Sequence, residues 1–532
     1  MTDRGSDKRI RNNGFMSGVV VLSLSAVIVK IIGLIYKIPM LKLLGSEGMG
    51  YFNSAYEIYT LFCIIATTGL PVAMSVMISS EKGGAERIFR VAMRLFLLLG
   101  VVGSAVMIGF ARPFSEFLGS DKTVFCIFAI APTVFLICVS SAYRGFFQGH
   151  GKMLPTAVSQ VIEALGKLIL GLIFAFVALR LGYSIDVVAA FAVLGLTLGT
   201  AVSVLYLMLN KRFSGVKDDT VCSVIEENDR GIAWHLIRTA IPVTLSAAVI
   251  SLTKVIDMTM ILRRLQDLGC ESEVAFSAYG NYTTLALPLF SLAPALIASV
   301  AMPLIPSLSR AVAMKDEAEQ GRVVSDALRL TSIVSMPIAI GLSLFAKPIL
   351  ELVFSGESEA ISEAYPLLVV LGLSVTSACL ITVSNAILQA YSKAYIPIIS
   401  MAVGSLVKIV LAYFLIGNSE IGILGAPIST FFCDLIINAV NFYCISRVMP
   451  RTPSVSTVFL MPFMASAVAV ILARVAYNAL VIKFGESALL TLACVAIAAI
   501  LYLPLIFIFK VVKKEEISDI PILNRLSSGK NK

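Results

Sequence analysis

The chain has 532 residues, of which 58% are hydrophobic and 14% charged, with a mean hydropathy of +0.92. A soluble chain of this length would divide into several water-exposed domains, and the composition excludes that. The formal charge of +9 raises a nucleic-acid partner, which the distribution of the basic residues excludes in turn.

Apolar runs of roughly twenty residues, each long enough to cross ~30 Å of hydrocarbon, follow one another nearly end to end. They predict an all-α polytopic membrane protein with about fourteen transmembrane helices, at 14–36, 51–79, 88–111, 123–143, 155–180, 186–209, 239–262, 281–305, 327–346, 365–389, 395–416, 422–446, 456–481 and 486–511. Residues 1–13 place Arg4, Lys8, Arg9 and Arg11 ahead of the first run, as a secretory signal would. The run lacks a small-residue cleavage site and belongs to the repeat below, so it reads as span one. With the N-terminus in the cytoplasm, 28 of the 42 Lys and Arg fall in inner segments or at the inner ends of spans, 9 in outer loops or at the outer end of a span, and 5 in the interior of spans. This positive-inside bias puts both termini on the cytoplasmic side of a plasma (inner) membrane. The charge is topological, and no nucleic acid is expected. The tail 512–532, with Lys513, Lys514, Arg525, Lys530 and Lys532, suits anionic membrane lipid.

Along the chain, one stretch occurs twice. Lys30-Ile31-Ile32-Gly33, Leu44-Gly45, Ser54-Ala55-Tyr56-Glu57-Ile58-Tyr59-Thr60 and Pro71 recur as Lys254-Val255-Ile256-Asp257, Leu268-Gly269, Ser277-Ala278-Tyr279-Gly280-Asn281-Tyr282-Thr283 and Pro294. Ala111-Arg112-Pro113 then answers to Ala346-Lys347-Pro348, Gln148 to Gln389, and Lys167 to Lys408. A collinear series of this kind is an internal duplication. Each copy holds six spans, an even number, so both copies enter the membrane with the same orientation. The expected layout is an N-lobe over 14–209, a cytoplasmic linker over 210–238, a C-lobe over 239–446 and two additional spans over 456–511. The two six-helix lobes are parallel repeats, related by a pseudo-twofold axis along the membrane normal. In a monomer, two such lobes around a central cavity suit alternating access.

Catalytic chemistry is nearly absent from the sequence. The two histidines, His150 and His235, are far apart, and Gly166-Lys167 is followed by Leu168, so the phosphate-cradling pattern fails. There is no GxSxG turn and no carboxylate cluster spaced for a metal. Seven of the nine cysteines fall in predicted spans with no CxxC spacing, as small apolar packing residues do. The chain reads as a transporter with no enzymatic cofactor. It is driven by a coupling cation (H+ or Na+), by the membrane potential, or by downstream consumption of its product.

The informative residues are charges within spans, each of which costs ~2.5–3.5 kcal/mol or more at the bilayer centre and so faces a cavity or a partner. They are Lys30, Lys167, Lys254, Lys408 and Arg474, with Glu57, Glu163, Asp257 and Asp434. Ser23, Lys30, Gly33 and Lys37 share one helical face, as do Thr244, Ser251, Lys254 and Asp257, and Ser374, Ser377, Ser384 and Asn385. Lys30, Lys254, Ser251 and Asn385 are the expected contacts for an anionic headgroup. Glu163 with Lys167 (i, i+4) and Lys254 with Asp257 (i, i+3) also form neutralising pairs. The same carboxylates, Asp257 and Glu163, are candidates for cation coupling. Asp434 reads either as a proton or cation site or as a hydrogen-bonded bundle residue, Lys408 as a lobe-flanking residue or a functional one, and Arg474 as a packing or snorkelling residue. Arg144 to Lys152 forms the inner loop after span four, with its counterpart at Asn385 to Lys393. Two readings stand for it: a cytoplasmic gate built on Arg144, Gln148 and Gln389, or a tight connection whose glycine supplies the turn. Gly69-Leu70-Pro71 and Ala293-Pro294 predict broken or bending helices.

Lys30-Ile31-Ile32-Gly33, Thr68-Gly69-Leu70-Pro71-Val72-Ala73 and Arg144-Gly145-Phe146-Phe147-Gln148-Gly149 resemble the stage V sporulation protein B and polysaccharide-exporter branch of the MOP flippase superfamily. The resemblance covers nearly the whole chain. It implies flipping of a polyprenyl-pyrophosphate-linked saccharide, such as the peptidoglycan precursor lipid II, from the inner to the outer leaflet. The partners it implies are that lipid-linked saccharide, membrane lipid and cell-wall synthesis enzymes. Where MurJ-type lipid II flippases carry cavity arginines, lysines stand here. Moving two negative charges outward gains roughly 4–5 kcal/mol at ~100 mV, inside negative. The rival reading is a multidrug cation antiporter of the same superfamily, which requires an acidic or apolar cavity. A cell-envelope scaffold gives no reason to bury charge, and no loop is large enough for a glycosyltransferase domain.

Overall fold

The structure, a computed structural model, describes residues 4–80, 84–213, 228–449, 454–509 and 511. Regular structure among them is helical throughout. Most of the expected linker, the basic tail 512–532 and the side chain of Ser23 lie outside the described residues.

The chain divides by internal packing into two units. The first, residues 1–284 with 416–423, contains α1 (Arg4–Thr67), α2 (Gly69–Ser80), α3 (Ala85–Gly109), α4 (Ala111–Leu118), α5 (Thr123–Gly149), α6 (Leu154–Arg180), α7 (Ile185–Phe213), α8 (Asp229–Asp267) and α9 (Ser272–Asn281). The second contains α10 (Leu287–Ala313), α11 (Glu317–Leu344), α12 (Ala346–Val353), α13 (Ser358–Ala390), α14 (Tyr395–Ile416), α15 (Gly425–Val448), α16 (Met461–Phe484) and α17 (Ala488–Ile508). A π-helical turn over Tyr282–Ala286 follows α9.

Among the described residues, twelve helical stretches are long and apolar enough to cross a membrane. The expected spans at 14–36 and 51–79 fall in one of them, Leu24–Ser79. At 1.5 Å per residue the 64 residues of α1 would run ~96 Å, three times the hydrocarbon thickness. The chain turns instead at Gly45, whose φ of 65° and ψ of −179° break the helix at a backbone conformation that glycine adopts without a Cβ penalty. The segment 37–50, expected as a loop, is helical on both sides of that kink. The expected span 239–262 lies within α8, which is not among the twelve stretches.

The two proline sites differ. Pro71 lies in the first turn of α2, just after α1 ends at Thr67, where its missing N–H leaves no partner unsatisfied. Pro294 sits inside α10, which continues through it to Ala313. The duplication recurs as local geometry. α3 ends at Phe110 (φ −100°, ψ 11°) and α11 at Phe345 (φ −108°, ψ 21°), and each is followed by a helix of eight residues. α5 and α13 close with the same turn. Gly151 N–H donates to Gln148 O at 2.9 Å and Ser392 N–H to Gln389 O at 2.9 Å, while Lys152 and Lys393 donate to Phe147 O and Leu388 O. The left-handed residue is Gly151 (φ 70°) in one and Ser392 (φ 59°) in the other.

This geometry corrects the reading of Arg144 to Lys152 as a loop. Residues 144–149 are the last turns of α5, and Gly151 supplies the reversal. Gly145 and Gly149 serve packing: a Cβ on Gly145 would lie 2.6 Å from Met74 Cε and 3.0 Å from Pro71 Cα, and one on Gly149 would lie 2.8 Å from Ile78 Cβ. The Gly-Leu-Pro and Arg-Gly-Phe-Phe-Gln-Gly segments are therefore one close helix–helix contact between α2 and α5. Gly145→Val is expected to destabilise the fold by roughly 1–3 kcal/mol or more through overpacking. A lowered midpoint of thermal unfolding in detergent would register it, and an unchanged midpoint would refute this contact.

Candidate functional site

A cavity of about 540 Å³ opens within the first unit. α1 contributes two helical stripes to its wall, Lys30, Gly33 and Tyr36 from before the Gly45 kink and Tyr56, Tyr59, Thr60 and Cys63 from after it. Each stripe follows the three- and four-residue spacing of one helix face. α5 supplies Ile137 and Arg144, and α6 supplies Gln160, Glu163 and Lys167.

Four charged side chains reach this wall, and their pairing differs from the sequence expectation. Glu163 does not close on Lys167, one turn along α6. Its Oε2 accepts from Arg144 Nη2 at 2.8 Å, while Arg144 Nε donates to Ser159 Oγ at 2.9 Å. The ion pair is largely buried, at 11% and 20% exposure. Lys167 instead lies among three aromatic rings, its Nζ 4.4 Å from the centroid of Tyr56, 5.0 Å from Tyr36 and 5.2 Å from Phe52. A cation gains from the negative faces of such rings without being neutralised. Among the described lining residues the wall thus carries three positive side chains, Lys30, Arg144 and Lys167, against the one carboxylate of Glu163.

Arg144→Gln would leave the Glu163 carboxylate buried without its partner, a loss of about 3 kcal/mol. The Arg144→Gln/Glu163→Gln double variant is expected to recover most of that stability in thermal unfolding. A double variant as damaged as the single one would show that the pair carries no coupling.

The other expected contacts are placed as follows. Lys254 is exposed on α8 outside the cavity wall, yet near enough to Lys30 to repel it electrostatically. Ser251 is 3% exposed, and Asp257 is half-buried one turn beyond Lys254. Gln148 is half-buried at the end of α5, and Gln389 is exposed at the end of α13. In the second unit, Asn385 is committed to its own bundle: its Oδ1 accepts from Asn441 Nδ2 at 2.8 Å, and Ser384 Oγ accepts from the same nitrogen at 2.9 Å. Asn438 Nδ2 donates to Ser377 O. The α13 serine face is thus part of a polar seam with α15. Asp434 lies on that seam, with Oδ2 buried and without a hydrogen-bond partner among the described residues, and Lys408 is near enough to attract it. Arg474 packs over Phe345 and Tyr477, 5.3 Å from each ring centroid, as a packing residue would. Among the described residues no group of three or more His, Cys, Asp or Glu could hold a metal.

Next to the Gly45 kink the two repeated motifs meet. Asn53 Nδ2 donates to Thr283 Oγ1 and Thr284 Oγ1, each at 2.9 Å, and Lys37 Nζ donates to Thr283 O at 2.6 Å. The backbones are close enough that a Cβ on Gly50 would lie 2.1 Å from Phe276 O and one on Gly280 2.0 Å from Ser46 O. Lys122 bridges Glu47 of α1 (3.3 Å) and Glu273 of α9 (2.6 Å). The hydrogen bond to Glu273, then the charge of Glu47, hold its ammonium above the ordinary lysine range. That contribution is complete below the ordinary lysine pKa and is lost only as pH rises through the higher folded value, so the bridge persists across physiological pH. Arg263 and Gln266 of α8 donate to the carbonyls of Phe117, Glu116 and Leu118.

The sequence signalled this latch only as a repeat. The contact of Lys167 with the aromatic trio of α1 and the Arg144–Glu163 pair gave no signal, because each joins residues from different helices.

The profile of the polysaccharide biosynthesis protein family matches residues 15–312, more than half of the chain. This chain belongs to that family. The MatE profile matches residues 242–414. Stage V sporulation protein B of Bacillus subtilis is 24% identical over 96% of this chain and 98% of its own length. Lipid II flippase MurJ of the same organism is 27% identical over 74% of this chain and 76% of its own. Among solved structures, lipid II flippase MurJ in an inward closed conformation superposes with a TM-score of 0.72 at 16% identity, over 92% of this chain and 98% of that one. An inward-facing MATE family multidrug transporter of the MOP superfamily gives 0.65 at 19% identity, over 81% and 98%. This polysaccharide biosynthesis family member is therefore a multi-pass membrane protein with the MurJ/MATE fold.

Proposed function

We propose that this family member is a flippase for a polyprenyl-pyrophosphate-linked saccharide, lipid II or a related wall or polysaccharide precursor. It moves the headgroup from the inner to the outer leaflet of the plasma membrane, with both termini cytoplasmic. The observation that carries this reading is the charge of the cavity. Its wall holds the basic side chains Lys30, Arg144 and Lys167 against a single carboxylate, Glu163, which Arg144 engages, and an excess of positive charge in a low-dielectric wall selects an anion. Tyr56 and Tyr59 in the same wall offer flat apolar faces and hydroxyls of the kind that bind sugars. Lys254 would meet the pyrophosphate from α8 as it enters or leaves.

In this reading the two repeated six-span lobes alternate around the headgroup, and the latch of Asn53, Lys122, Thr283 and Thr284 is the outer gate in its closed state. The membrane potential drives two negative charges outward by roughly 4–5 kcal/mol at ~100 mV, enough to set the direction without ATP. Coupling through Asp257 remains part of the proposal, whereas Glu163 belongs to the Arg144 pair and Asp434 to the second unit's polar seam.

The test is rescue of a bacterium depleted of its essential lipid II flippase. Growth restored by this chain supports the reading, and failure of a well-inserted chain redirects it to another lipid-linked glycan. The MatE match over 242–414 favours a second reading, a multidrug cation antiporter. Dye efflux by the same strain would support it, against the positive cavity wall.

A further inference from the structure

A second feature of the first unit lies outside the transport cavity. α2, α3 and α8 enclose an outward-opening groove of about 520 Å³ in which Thr244 is the only polar lining residue among the described residues. Its outer rim is formed by Leu98 of α3, 61% exposed, with Ile241 (55%) and Leu245 (65%) of α8. In a membrane protein such a rim is in contact with hydrocarbon.

The end of the groove nearest the N-termini of α3 and α8 is strongly basic. Arg94, one turn before Leu98 on the same helix face, is 70% exposed and reaches Asp229 of α8 at 3.3 Å. Arg87, two turns further back, reaches the same carboxylate at 2.9 Å. Arg90 on α3 and Arg230 and Arg238 on α8 are also exposed, and Glu86 is taken by Lys211 at 2.8 Å. Two arginines thus share one carboxylate, and three more are exposed on the same two helices. Trp234, the sole tryptophan of the chain, is 65% exposed three residues before Ile237 of the groove wall. A tryptophan at the end of an apolar wall marks the level of lipid headgroups.

We propose that this groove is a binding site for an anionic phospholipid such as phosphatidylglycerol. One acyl chain lies along Leu95, Leu98, Ile241 and Leu245, and the phosphodiester sits at Arg94 and Arg238. A zwitterionic lipid would bring its own cation to the arginines and leave their excess charge unmatched. An anionic lipid answers both the apolar wall and the basic rim.

The sole tryptophan makes the site measurable. The full-length protein is reconstituted in phosphatidylcholine vesicles containing a fixed fraction of phosphatidylglycerol brominated on its acyl chains, or of phosphatidylcholine brominated likewise, and Trp234 quenching is read. The brominated phosphatidylglycerol is expected to quench at lower mole fraction, with the preference falling about fivefold for each arginine removed in Arg94→Gln and Arg238→Gln. Ala248→Phe, which fills the groove and leaves the arginines in place, is expected to weaken quenching by the anionic lipid. Equal quenching by the two lipids in the parent would overturn the proposal. So would a preference that survives Arg94→Gln/Arg238→Gln while quenching by brominated phosphatidylcholine is unchanged.

Discussion

Replacing Lys30 and Lys254 together by glutamine is expected to abolish rescue of a flippase-depleted bacterium at unchanged membrane abundance. A charge-assisted hydrogen bond to a phosphate is worth about 1.5–3 kcal/mol, so losing two lowers productive binding by roughly a hundredfold to ten-thousandfold. The two ammonium groups repel each other when the cavity is empty, and a pyrophosphate between them would turn that repulsion into two attractions. The glutamines keep the length and polarity of the side chains, so packing is little disturbed. Rescue by the double variant as good as by the parent would retain the transport reading and remove these lysines from it. Lys167→Gln separates the contributions further. Lys167 lies against three rings, so its loss is expected to loosen the α1–α6 packing as well as the affinity, lowering both the unfolding midpoint and the rescue.

The second large effect is expected at the latch. Asn53 and Thr283 touch through a 2.9 Å hydrogen bond, and cysteines at both positions are the pair to test for a disulfide across the contact. In a background whose nine native cysteines are replaced, oxidation of Asn53→Cys/Thr283→Cys is expected to stop lipid flipping in vesicles, and reduction to restore it. If the contact between the repeated motifs is a gate, a covalent bond across it holds one of the two states and turnover stops altogether. Flipping that continues in the fully crosslinked protein would make the latch a static joint and move the gate elsewhere. The sides of Gly50 and Gly280, where no Cβ fits, explain why the closed contact is tight: hydrogen bonds and backbone approach combine over two turns of α1.

The sequence made the membrane character legible because every span must satisfy its own backbone in hydrocarbon, which forces long apolar helical runs. It pointed to a duplication through matched positions, and two of them, Gln148 and Gln389, accept the same closing hydrogen bond at the ends of α5 and α13. It singled out Lys30, Glu163 and Lys167, all of which reach the cavity wall, because a charge in an apolar run is conspicuous whatever its neighbours.

What those charges touch was decided only by tertiary structure. Helical spacing paired Glu163 with Lys167, which share a face of α6. Packing of α5 against α6 offered Glu163 the guanidinium of Arg144 instead, which reaches the carboxylate through Nη2 while Ser159 Oγ accepts from its Nε, and left Lys167 to the rings of α1. The sequence reading gave the turn after α5 to a glycine, which Gly151 supplies, but it gave Gly145 and Gly149 no packing role. Against Pro71, Met74 and Ile78 they are the only residues small enough to let two helices close. Apolar periodicity and duplication are properties of one strand of chain and are written in its order. Ion pairs, an aromatic box and a latch join residues from separate helices, and they exist only once packing has brought those helices together.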